Sequence, residues 1–258
     1  GKDESTSNLQ DLLVHTLKGL ALAGEPALNN GGISPQVGRF VSESLFATIT
    51  NANFDEGRFE ELIHQALKQR DQLKQKYTHE PQHDSVQWST SQEKLHTKAS
   101  RVAGVGFDET GNEDIRSLRE LLLYGLKGIA AYTHHAERLG HSDANIHHFM
   151  IEALAASAKD LSQEELLGIV MQTGEIAVKA MALLDQANTE TYGHPEITRV
   201  NIGTEERPGI LISGHDLKDM EELLHQTQDT GVDVYTHSEM LPAHYYPYFK
   251  KYDHFVGN

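Results

Sequence analysis

GILISGHDLKDMEELLHQTQDTGVDVYTHSEMLPAHYYPYFKKYDHFVGN, residues 209–258, alternates short β-prone runs with helical ones. Gly209 to Ser213 is a brief apolar run broken by Gly214, after which Leu217, Met220, Leu223 and Leu224 recur at helical spacing. Gly231 closes that helix, Val232 to Tyr235 opens a second β-prone run, and His254 to Val256 is a third. The pattern predicts strand, loop, helix, strand, loop, helix, strand. Such alternation implies a parallel sheet with right-handed crossovers. Residues that follow each strand then share one edge of the sheet, and ligands bind outside that edge. His215 follows the first run, while His237, Glu239 and His244 follow the second. Three imidazoles and a carboxylate gathered at one edge are metal-ligand chemistry.

Upstream the periodicity is helical. Ser7-x-x-Gln10 has the form of a capping box, and Leu9, Leu12, Leu13, Leu17 and Leu20 after it mark one helix face. Phe40, Leu45 and Ile49 belong to a second helix, and residues 55–77 to a third. Residues 9–21 then line up with residues 118–130 at an offset of 109, sharing a Leu-Lys-Gly that ends at Gly19 and at Gly128. The same offset pairs Phe40, Glu43, Leu45 and Ala47 with Phe149, Glu152, Leu154 and Ala156. A duplication is the expectation: two three-helix units, about 5–77 and 113–188, joined by a polar linker at 78–112. The linker reads as irregular, with Trp88 pinning it to the body. The fold class expected is therefore α plus α/β, a helical domain over 1–194 followed by the first part of a parallel-sheet, Rossmann-like domain over 195–258. Ile197 to Ile202 is read as a further strand at its start.

Composition bounds the function. The formal net charge of −16 argues against nucleic acid, whose phosphates need a basic face, and against an anionic membrane surface. No apolar run approaches the ~20 residues of a membrane span and no signal peptide opens the sequence, so a cytoplasmic protein is expected. There is no cysteine, which excludes disulfides, thiolate zinc sites and a cysteine nucleophile within these residues.

Among 16 histidines, several patterns carry little. Glu61-x-x-His64 and Glu222-x-x-His225 match the spacing of di-iron bundles, but they fall in different expected domains and read as surface residues. His134, His135, His141, His147 and His148 surround a helix–helix turn and read as solvated. The glycines at 203, 209 and 214 fit neither a dinucleotide fingerprint nor a P-loop. His215 and Glu239 remain as candidate ligands, the plainer reading being a helix cap and a solvated acid. His237 and His244 stand behind them.

The run from Tyr192 onward, with residues 209–218 and 234–244, closely resembles the hybrid-cluster proteins, also called hydroxylamine reductases. Residues 118–128, 179–185 and 188–193 agree as well, so the resemblance covers essentially the whole sequence. It implies a helical domain of two three-helix bundles before α/β domains related to carbon monoxide dehydrogenases, with a hybrid iron–sulfur–oxygen cluster where they meet. By motif match, it places the family's histidine ligand on His215 and its first glutamate ligand on Glu239. It implies reduction of a small nitrogen-containing substrate, hydroxylamine to ammonia or nitric oxide, with electrons from a donor protein entering through an N-terminal iron–sulfur cluster of the 4Fe-4S kind. His237, near Glu239, is assigned as a group that orients a ligand or supplies a proton. Family members carry four cysteines near the N-terminus, the last just before a Gly-Lys resembling Gly1-Lys2, and further cysteines, a glutamate and a lysine beyond the region matched here. Without them the 258 residues are expected to be a portion of a longer enzyme, metal-free and silent alone. Two other readings stay open. One is a self-contained metal-binding α/β protein using His215, His237, Glu239 and His244, with zinc and hydrolytic chemistry. The other is a non-catalytic helical scaffold whose acidic bundle docks a partner. Oligomeric state is not legible.

Overall fold

A computed structural model describes residues 2–49, 52–77, 82–104 and 111–258. The chain is α plus α/β, mostly helical with a three-stranded parallel sheet. It divides into two compact units, residues 1–134 with 143–181, and residues 135–142 with 182–258.

The first unit begins with α1 (Glu4–Leu28), α2 (Pro35–Ala47) and α3 (Glu56–Lys76). Helix α1 starts three residues before the expected capping box. Asp3 is its N-cap, its carboxylate accepting from Thr6 N at 2.8 Å, while Gln10 accepts from Lys2 Nζ at 2.7 Å instead of reaching back. Leu9, Leu12, Leu13, Leu17 and Leu20 are all fully buried, as their spacing requires, and α1 packs on α3. The pattern then recurs. Helix α6 (Glu113–Arg138) starts 109 residues after α1, and α7 (Ala144–Ala156) lies 109 residues after α2 at both ends. Helix α8 (Gln163–Tyr192) follows. By length and composition α8 is apolar enough to cross a membrane, contrary to expectation. Gln172, Thr173, Glu175 and Lys179 break up its apolar residues in the sequence, and of those Leu166, Ile176 and Ala180 are buried.

The stretch expected to be an irregular polar linker is corrected by the structure. It holds α4 (Asp84–Gln87) and α5 (Leu95–Val102), both packed on α1. Two buried cations hold it in place. Lys98, 0 % exposed, donates to Asp84 Oδ2 at 2.6 Å, and the same oxygen lies 2.7 Å from His15 Nε2. Arg70 of α3, 2 % exposed, donates to the carbonyls of Ser85 and Trp88 at 2.8 and 2.7 Å. Buried polar groups that satisfy one another look, in a sequence, like solvated ones. Trp88 is indeed buried. The expected continuation through 105–110 lies outside the described residues.

This strap explains one of the two repeated glycines. A Cβ at Gly19 would lie 2.1 Å from the Ser85 carbonyl oxygen, whereas one at Gly128 would meet nothing within 4 Å among the described residues. The Leu-Lys-Gly pair is alike in sequence and unlike in environment.

The second unit carries β1 (Gly209–Ser213), α9 (Leu217–Thr227), β2 (Asp233–His237) and β3 (Phe255–Gly257), in sheet order β1-β2-β3, all parallel. Met220, Leu224, Val234, Met240, Phe249 and Tyr192 form its core. Two expectations fail here. Residues 197–202 are not a strand: Ile197 and Ile202 are exposed, and the main-chain bond described there is Asn258 N to Asn201 O at 3.0 Å. The helix expected between β2 and β3 is replaced by two 3-10 segments, Ser238–Tyr245 and Pro247–Lys251. Pro242 and Pro247 lack the N–H that an α-helix needs there.

Candidate metal centre

The parallel register sets the site. Ser213 pairs with His237, so β1 and β2 end at the same level, and His215 and Glu239 each stand two residues beyond. Gly214, at φ +133°, turns the chain out of β1 in a conformation that side chains disfavour. On the other connection Ser238, at φ 55°, makes the matching turn. The result is His215 Nδ1 3.4 Å from Glu239 Oε2, with the side chains 58 % and 73 % exposed. A charge-assisted hydrogen bond would close to about 2.7–2.9 Å. The pair is adjacent but not locked to itself, and both heads face solvent.

Asp216, not His215, is the N-cap of α9, its Oδ1 accepting from Lys218 N at 2.8 Å. The capping reading of His215 is therefore set aside. Asp216 Oδ2 receives Arg138 Nη1 at 2.6 Å and lies 3.2 Å from His135 Nδ1. Burial works against ionisation of Asp216, but His135, the Lys218 amide and Arg138 together hold its carboxyl below the usual range.

The other two histidines of the motif part company. His237 is exposed, with Nδ1 3.5 Å from Ser213 Oγ. His244 is 8 % exposed, stacked on Phe255 at 3.9 Å between centroids, with Nε2 2.9 Å from Thr236 Oγ1. Thr236 gives its proton to Asn258 Oδ1 at 2.8 Å, which leaves His244 as the donor through Nε2. Burial pushes the His244 pKa down. It is a core residue, so the four side chains of the zinc reading do not converge. Among the described residues no group of three or more His, Asp or Glu is arranged to hold a metal ion.

The histidines around the turn after α6 are also not simply solvated. His135 and His147 are buried, and His141 Nε2 is 2.8 Å from Glu190 Oε2, which raises the His141 pKa. His135 meets His215 edge to face, at 5.2 Å and 88°. Sequence reading missed it because nothing in a local pattern links residue 135 to residue 215.

The Prismane/CO dehydrogenase family matches residues 1–258. The chain is similar to the hydroxylamine reductase of Chlorobaculum tepidum, 55 % identical over 261 residues that take in 100 % of the chain and 47 % of that relative. It is also similar to those of Nitratidesulfovibrio vulgaris, 54 % identical, and Desulfitobacterium hafniense, 53 % identical, each with the whole chain aligned to 48 % of the relative. The chain thus spans about half the length of these curated relatives. A match over every residue, at this identity, makes the chain a member of the Prismane/CO dehydrogenase family.

Proposed function

We propose that the chain forms part of an iron–sulfur oxidoreductase that reduces hydroxylamine to ammonia, or nitric oxide, with His215 and Glu239 as ligands of a hybrid iron–sulfur–oxygen cluster. The observation that carries this reading is the pairing of His215 with Glu239 beyond two parallel strand ends, in a chain similar throughout its length to hydroxylamine reductases.

The donor set fits such a group as far as it goes. An imidazole nitrogen and a carboxylate oxygen are harder donors than thiolate and suit iron that must stay open to a small ligand. The 258 residues contain no cysteine, so the sulfur ligands have to be supplied by other residues. When bound, the cluster supplies electrons and a coordination position for the substrate. Reduction of hydroxylamine breaks the N–O bond and takes two electrons and two protons to give ammonia and water. A donor protein and a further iron–sulfur cluster of the 4Fe-4S kind, held by residues other than these, would supply those electrons. The chain's own residues place donors and protons: His215 and Glu239 bind, and His237, exposed at the end of β2 two residues before Glu239, is the group on hand to orient a ligand or deliver a proton.

The test is anaerobic iron and sulfide analysis, with hydroxylamine-dependent oxidation of a reduced dye, on a polypeptide of the relatives' length carrying this sequence. His215→Ala and Glu239→Ala are expected to lose iron and turnover together, and His237→Ala to lose turnover with iron retained. Retention of iron and turnover in both ligand variants would sink the assignment. Stoichiometric, tightly held metal in the 258 residues alone would point instead to a self-contained site.

A further inference from the structure

We propose that His135 and Asp216 are a positioning pair for His215, fixing the orientation of its imidazole at the strand ends before any ligand is bound. The proposal rests on the reading of His215 as a ligand donor and adds what holds that donor in place.

His215 has little of its own to hold it. It follows a glycine at positive φ, its side chain is more than half exposed, and its contact with Glu239 is a loose 3.4 Å. A ring so placed would exchange among staggered rotamers, and freezing it on binding would cost conformational entropy. Two restraints oppose that. The first is a wall. His135 projects from α6, is buried, and stands at 88° to the His215 ring with centroids 5.2 Å apart, a T-shaped contact favoured by the ring quadrupoles.

The second restraint is an anchor on the next residue. The Asp216 side chain is only 11 % exposed and is held from three directions: Lys218 N on Oδ1, Arg138 Nη1 on Oδ2, and His135 Nδ1 beside Oδ2. Arg138 also reaches Asp219 Oδ1 at 2.9 Å and Glu222 Oε1 at 3.4 Å, so the first turns of α9 are tied to the end of α6. His135 therefore touches both the ring of His215 and the carboxylate of its neighbour. Restraining the ring and the backbone after it leaves His215 few directions to face. Groups that orient a metal-binding histidine in this way typically change metal affinity by roughly 10- to 100-fold when removed.

The experiment uses His135→Phe, which keeps a ring but no nitrogen, and Asp216→Asn, which keeps a helix cap but removes the charge. In the 258-residue chain, 15N-resolved ring spectra of His215 at one fixed pH are expected to show a single tautomer in the parent protein. Both variants are expected to show averaged ring shifts near those of a free histidine, with circular dichroism unchanged. Should one variant fail to fold, the other still decides. His215 ring shifts that stay at parent values in a folded variant would overturn the proposal. In the longer polypeptide, His135→Phe is expected to lose iron to EDTA roughly 10- to 100-fold faster, with an altered electron paramagnetic resonance signature. His215→Ala serves as the reference there. If His215→Ala leaves iron content and that signature intact, the ligand reading fails, while the ring spectra still judge the positioning pair on their own.

Discussion

Gly19 and Gly128 occupy the same place in two copies of a Leu-Lys-Gly motif, and alanine at each should act in opposite directions. Both lie inside long helices, where glycine is worse than alanine by about 0.5–1 kcal/mol. At Gly128 no described residue lies within 4 Å of the new methyl, so Gly128→Ala should stabilise by about that amount. At Gly19 the methyl would sit 2.1 Å from Ser85 O and 2.6 Å from Ser85 C, against an ordinary contact of roughly 3.5 Å. The strap must move by more than ~1 Å, and its Ser85 carbonyl is the one that Arg70 holds at 2.8 Å. Overpacking of this kind costs about 1–3 kcal/mol, which exceeds the helix gain. The two variants should differ by about 2 kcal/mol, or roughly 4–8 °C in melting temperature. Thermal unfolding followed by circular dichroism, with urea midpoints as a second measure, checks this. If Gly19→Ala melts at or above the parent, the strap does not lie on α1 as described.

Arg70→Met should leave the Ser85 and Trp88 carbonyls without their buried donor, costing on the order of 3 kcal/mol and exposing the strap to chymotrypsin at Trp88; uncut variant protein would contradict this. Burial, reinforced by the charge of His15, pushes the His83 pKa down to about 4. The unfolded chain then binds a proton between pH ~6.5 and that value while the folded chain does not, so stability should fall as pH is lowered through the window. A His83→Gln variant should show a shallower fall in urea midpoint, and an identical slope would refute the assignment. His244→Phe keeps the stack on Phe255 but removes the donor to Thr236, so it should cost about 1 kcal/mol and leave metal content unchanged; loss of metal would restore His244 as a ligand.

The sequence by itself determined most of the regular elements, α1–α3, α6–α9 and the three strands. Leucines at helical spacing from Leu9 to Leu20 are buried, and the Gly209–Ser213 run is a strand, because burial of one face is the main thing a local pattern reports. The offset of 109 between α1 and α6 was also legible, since it depends only on residues repeating. His215 and Glu239 were legible as candidates because parallel strands send their following residues to one edge, and their motifs carried the resemblance. Tertiary structure alone decided the rest. It turned Lys98, an apparent linker residue, and Arg70, on the third helix, into buried donors to residues 84–88, since their partners are 14 to 18 residues away. It withdrew His244 into the core and brought His135 against His215, a contact spanning 80 positions of the chain. Such choices depend on which side chains meet in space, and a one-dimensional pattern holds no record of that.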